Sequence, residues 1–210
     1  MKLQRASYKL TELFLLFIAL PVSLALDYSP YVKVGLILSG FIYVIWMLLK
    51  VEKQKFKISK LLDWKQFWRR TLVVFIAICV LTISYVYFTD ASELFVVVRN
   101  KPLMWIVIVF VYSAFSVYPQ ELIYRTFFFL RYESLIRNPQ LFVFINAIVF
   151  CLAHMLFKNS LVSLLTFLGG ILFALTFQKT RSTLLVSIEH AIYGSWLFTV
   201  GMGTMLGFPS

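Results

Sequence analysis

Apolar residues in this chain gather into seven runs, at positions 10–26, 31–49, 71–88, 103–130, 141–157, 161–177 and 182–200. A helix rises 1.5 Å per residue, so about 20 such residues cross the hydrocarbon core of a bilayer. Apolar residues fill each run on all sides, so each reads as a helix surrounded by lipid and other helices. The pattern predicts an all-α, polytopic membrane protein of about seven transmembrane helices. The first run lacks a small-residue cleavage site and a second span follows at once, so it reads as a span, not a signal peptide. Pro119 lies inside the fourth run and is expected to kink or restart that helix. Gly169 and Gly170 mark a place in the sixth run where another helix can come close.

Between Lys50 and Arg70 the pattern changes. Eight Lys or Arg alternate with Phe56, Ile58, Leu61, Trp64, Phe67 and other apolar residues. That mixture predicts an amphipathic interfacial helix lying on an anionic leaflet. No repeat or low-complexity linker divides the chain, so 1–210 is expected to form one membrane-embedded domain.

Composition agrees with the pattern. Of 210 residues, 61% are hydrophobic and 14% are charged, against about 25% charged in an ordinary soluble domain. This excludes a normal soluble enzyme and a disordered chain. The net charge of +11 would point to nucleic acid in a soluble protein. Here it is a topology signal, and no nucleic-acid partner is expected. With the N-terminus cytoplasmic, 15 of the 20 Lys and Arg fall on the cytoplasmic side, among them Arg131 and Arg137, as the positive-inside rule requires. Cys79 and Cys151 lie in apolar runs and read as small buried hydrophobes.

Ionisable residues inside a bilayer are functional candidates by default. They are Glu121 and Arg125 in the fourth run, His154 in the fifth, and Glu189 with His190 in the seventh. Glu12, near a membrane edge, is given a structural role. Glu121 and Arg125 stand four apart and can pair on one helix face. Phe150 and His154 share that spacing, as do His190 and Gly194. A carboxylate and two imidazoles from three helices can bind a metal or activate a water.

The stretches PQELIYR (119–125), FCLAH (150–154) and HAIYG (190–194) resemble, in order, the three motifs of the CPBP family. That family comprises the CAAX prenyl endopeptidases and the bacteriocin-processing and immunity (Abi) proteins. The resemblance covers roughly residues 100–200, the motif-bearing core; residues 1–90 add spans without a motif. It implies an intramembrane endopeptidase acting on membrane-associated or prenylated-type peptides. Glu121 would hold or activate water. His154 and His190 would bind a metal, zinc or another divalent ion, or assist proton transfer. Arg125 would fix Glu121, and Phe150 would pack against His154. Two positions depart from the family pattern. Gln120 stands where the first motif glutamate is expected, and Gly194 where an asparagine is. Glu189 is a further candidate for the missing carboxylate. The alternatives are an inactive relative that binds peptides or membrane proteins, and a small proton-coupled transporter. The resemblance implies an integral protein of a bacterial inner or plasma membrane.

Overall fold

The computed structural model describes residues 2–54 and 63–207. Among these the chain is helical, with no strand. Six helices are long and apolar enough to cross a membrane: α1 (Ala6–Leu24), α2 (Pro30–Val51), α3 (Trp64–Glu93), α5 (Pro102–Leu135), α6 (Pro139–Phe157) and α7 (Ser160–Thr180). The protein is an integral membrane protein. A short helix, α4 (Val96–Asn100), joins α3 to α5. The seventh apolar run is also a helix, α8 (Thr183–Val200). Ser187, Glu189, His190 and Ser195 lower its hydropathy below that of the other six.

The expected interfacial helix is redrawn at both ends. Lys50 lies in the last turn of α2. Trp64 to Arg70 form the first turns of α3, where the Asp63 carboxylate accepts a hydrogen bond from the Gln66 amide (2.9 Å) and caps the helix. Capping satisfies one of the amides that a helix start leaves without an intrahelical partner. Residues 55–62, the middle of that stretch, lie outside the described residues.

Pro119 does not interrupt α5. The helix widens instead, with π turns at Tyr112–Val117 and Leu122–Phe127 on either side of an α turn, Tyr118–Glu121. Proline supplies no amide hydrogen and crowds the carbonyl four residues back. A wider turn relieves that crowding without ending the helix, and such turns are common at functional sites.

The chain divides into two compact units, Met1–Lys57 with Leu122–Arg181, and Ile58–Glu121 with Ser182–Ser210. The first unit has an aromatic core. Phe17 is fully buried and meets Tyr124, Phe128 and Tyr132 edge-on at 5.1–5.8 Å, a preferred geometry for aromatic pairs. Helices α6 and α7 approach closely at Gly170, where a Cβ would stand 2.9 Å from the Ala147 Cα. Here the small residue does what the sequence suggests.

Ion pairs of this unit agree with the alternation of spans. Arg131 binds Glu12 and Glu52, and Arg181 binds Glu133 (2.6 Å). These segments all fall on one side by the span count. Lys158 binds Asp27 (2.8 Å), and both of those fall on the other. The Lys158 hydrogen bond holds the Asp27 carboxyl below its ordinary range.

In the second unit α8 packs along α3 and the first part of α5. The indole of Trp196 donates to Thr82 (2.8 Å) and that of Trp105 to Thr199 (3.0 Å). Gly201 ends α8 with φ +109°, against the Glu93 carbonyl, where no side chain fits. Glycine adopts that left-handed conformation without steric cost.

Candidate functional site

Glu121 is the last residue of the α turn after Pro119 and is fully buried. His190 stands in the middle of α8 and is also buried. The His190 Nδ1–H donates to Glu121 Oε1 over 2.7 Å. A carboxylate can only accept, so this contact assigns a proton to Nδ1 and turns Nε2 away from Glu121. The pair joins two motif positions that lie 69 residues apart in sequence.

Gln120, one residue earlier, points elsewhere, as adjacent residues of a helix must. Its amide nitrogen donates to the Ser116 hydroxyl (2.8 Å), and its Oε1 is buried with no hydrogen-bond partner among the described residues. Thus Glu121, not the residue at the first motif position, is the one that meets His190.

Glu189 is fully buried. The Tyr193 hydroxyl lies 3.2 Å from Glu189 Oε1 and 3.1 Å from the Thr71 carbonyl. Glu189 is thereby linked toward α3, whereas His190 meets α5. Gly194 has a steric reason. A Cβ there would collide with the hydroxyl and ring of Tyr112. The Tyr112 ring meets His190 edge-on (6.1 Å, 82°) and Phe198 edge-on (4.8 Å, 84°). An asparagine at 194 has no room beside this tyrosine. No pattern in the sequence singles out Tyr112, because it is one aromatic among many in an apolar run.

The other candidates belong to the first unit. His154 lies near the end of α6, between its α-helical part (Pro139–Leu152) and a closing 3₁₀ turn (Met155–Phe157), with φ −98° and ψ 0°. Its Nδ1–H donates to the Phe150 carbonyl (2.8 Å), and the two rings pack at 4.7 Å. That bond likewise assigns a proton to Nδ1. It orients a metal-binding or proton-transferring histidine, and a packing histidine makes the same bond. Arg125 is fully buried. Its Nη1 donates to Asn146 Oδ1 (2.8 Å), and its guanidinium stacks over Phe150 at 4.7 Å. The Asn146 amide in turn donates to the Tyr124 carbonyl (2.7 Å). Asn146 is a fixing residue that motif reading overlooks. Its signal was a lone amide inside an apolar run.

A structural zinc needs four ligands and a catalytic zinc about three from the protein. Among the described residues no three His, Cys, Asp or Glu side chains gather in this way. His190 also turns its Nδ1 to Glu121. This donor set does not fit a metal as it stands.

Residues 101–196 match the model of a protein family described as type II CAAX prenyl endopeptidase Rce1-like. The match spans all three motifs and agrees with the resemblance they carry. No curated protein and no solved structure matches the chain.

Proposed function

We propose that this protein is an intramembrane endopeptidase that hydrolyses peptide bonds near the membrane surface, with Glu121 as the acid–base group. The observation that carries the reading is the buried Glu121–His190 contact of 2.7 Å, formed by two motif positions of the matched region. A water beside Glu121 gives its proton to the carboxylate as its oxygen attacks the peptide carbonyl carbon. The same proton then passes to the amide nitrogen as the C–N bond breaks, leaving a carboxylic acid and an amine. His190 holds Glu121 in place through Nδ1–H and offsets its charge changes. General acid–base catalysis of this kind contributes about 10²–10⁴-fold. His154 is assigned the role of second imidazole, on motif position. The substrate class is a peptide of a membrane-associated or prenylated-type protein.

The test is cleavage of a peptide library by purified protein, with and without chelator, beside Glu121→Gln and His154→Ala. The reading expects cleavage that Glu121→Gln abolishes and His154→Ala lowers. Loss on chelation would assign a metal as well. Absence of cleavage by the unaltered protein under every condition would overturn the reading. A peptide-binding relative without hydrolysis would then lead, and the Gln120–Ser116 contact already favours that second reading.

We also place the N-terminus in the cytoplasm of a bacterial or plasma membrane, with the basic stretch near anionic lipid. A lone cysteine at Lys55, in a background lacking Cys79 and Cys151, should resist an impermeant thiol reagent in intact cells and react after lysis. Labelling of intact cells would reverse the orientation.

A further inference from the structure

Tyr112 fills the place that a side chain at residue 194 would take. Residue 194 stands one turn after His190, so a side chain there would lie on the same face as the imidazole. The chain has Gly194 instead, and the Tyr112 hydroxyl occupies the position where its Cβ would be. The phenol comes from α5, the helix that also carries Glu121. Its ring is fixed between His190 and Phe198 by edge-on contacts at 6.1 and 4.8 Å. Among the described residues no hydrogen-bond partner holds the hydroxyl, whereas the other tyrosine beside this helix face, Tyr193, binds Glu189 and Thr71. An O–H donor on a half-buried, ring-packed tyrosine therefore stands beside a carboxylate–imidazole pair.

We propose that the Tyr112 hydroxyl is the hydrogen-bond donor to the carbonyl oxygen of a peptide bound at Glu121 and His190. The inference rests on the hydrolase reading for its chemistry but not for its binding. As the oxygen of water bonds to the carbonyl carbon, the π electrons of C=O move onto the carbonyl oxygen. Tyr112 O–H stabilises that charge without giving up its proton, and the water's proton goes to Glu121. When the C–N bond breaks, the C=O bond re-forms and the hydrogen bond from Tyr112 weakens. A fixed donor in a water-poor site stabilises developing charge more than water does, because it needs no reorientation. Tyr112 is a catalytic residue in this account, and the exchange of a side chain at 194 for a phenol from α5 explains how the chain carries a glycine there.

The test is Tyr112→Phe, which keeps the ring and removes only the hydroxyl. Three readouts are taken on the purified full-length protein: thermal unfolding, kcat and KM for peptide cleavage, and binding of a peptidyl trifluoromethyl ketone followed by ¹⁹F NMR. The ketone presents a tetrahedral, oxyanion-like centre without turnover. The expected result is an unchanged unfolding midpoint, a fall in kcat of about 100-fold with little change in KM, and weaker ketone binding by a similar factor. Cleavage and ketone binding at the unaltered level in Tyr112→Phe would overturn the proposal and leave the hydrolase reading standing. Tyr112-dependent ketone binding by a protein that cleaves nothing would uphold the proposal and sink the hydrolase reading. Failure of the unaltered protein to bind the ketone would overturn both. If Tyr112→Phe unfolds, Gly194→Ser decides. It displaces the phenol while keeping a hydroxyl near its place, and the proposal expects it to retain more ketone binding than Gly194→Ala; equal loss in the two overturns it.

Discussion

The cluster around Arg131 and the pair of Glu121 with His190 both bury ionisable groups among membrane helices, yet they are built from different donors. Arg131 is fully buried. It donates to Glu12 (2.8–3.2 Å), Glu52 (2.9 Å), Gln4 (3.3 Å) and the Leu3 carbonyl, and Tyr132 adds a further donor to Glu12 (3.1 Å). Guanidinium is charged at every attainable pH, and its planar fork matches carboxylates. The cluster joins the N-terminal segment, the end of α2 and the end of α5 as a structural clasp. His190 meets the Glu121 carboxylate through a ring nitrogen at 2.7 Å, and an imidazole, unlike a guanidinium, can serve as an acid or a base in catalysis. Burial alone does not mark a functional charge. What separates the two clusters is whether the nitrogen that meets the carboxylate belongs to a guanidinium, which stays protonated, or to an imidazole.

Breaking the clasp should have the largest effect on stability. Arg131→Ala leaves the buried Glu12 and the half-buried Glu52 without their cation, a loss of about 3–5 kcal/mol, read as a lower unfolding midpoint in detergent. An unchanged midpoint would mean that the clasp is not structural. Arg125→Ala should cost a similar amount, because Asn146 Oδ1 and the Phe150 face lose their donor and cation.

A smaller loss is expected in the other unit. Gly194→Ala forces a methyl group onto Tyr112, and overpacking of this kind costs about 1–3 kcal/mol. It should also lower cleavage by moving the phenol. Combining it with Tyr112→Ala should restore the midpoint relative to Gly194→Ala alone if the collision is the cause.

The smallest effect belongs to the exposed pair. Lys158→Ala should lower the midpoint only slightly near neutral pH, since solvent screens an exposed ion pair. The pair has an acid-side signature. The Asp27 carboxyl is held below its ordinary range, mainly by the Lys158 hydrogen bond. Its contribution is therefore present above the unfolded value of about 3.9 and lost as pH falls through the lowered folded value. Melting midpoints of the unaltered protein and Lys158→Ala should differ only slightly over pH 5–8, and that small gap should close as the Asp27 carboxyl is protonated on the acid side.

Hydrophobic run length located every spanning helix to within a few residues, because in lipid a backbone must close its own hydrogen bonds and helices result. Boundaries shifted where polar residues continue a helix into the interface, as from Trp64 to Arg70 and from Arg131 to Leu135. Spacing also told which residues share a face of one helix, and so singled out Phe150 with His154. It could not tell which helix meets which. The meeting of Glu121 with His190, and that of Arg131 with Glu12 across 119 residues of sequence, depend on packing that local pattern does not encode. Arg131 was read only as a topology charge for this reason. Tyr112 was invisible because its role comes from the space at Gly194, not from its own neighbours in the chain.

The most direct test of the contrast compares Glu121→Gln with Glu12→Gln, each assayed for peptide cleavage and for unfolding midpoint. The account predicts that Glu121→Gln loses cleavage while keeping a midpoint close to that of the unaltered protein. It predicts that Glu12→Gln lowers the midpoint, while the protein that remains folded cleaves at the unaltered rate. Full cleavage by Glu121→Gln, or loss of cleavage by folded Glu12→Gln, would contradict it.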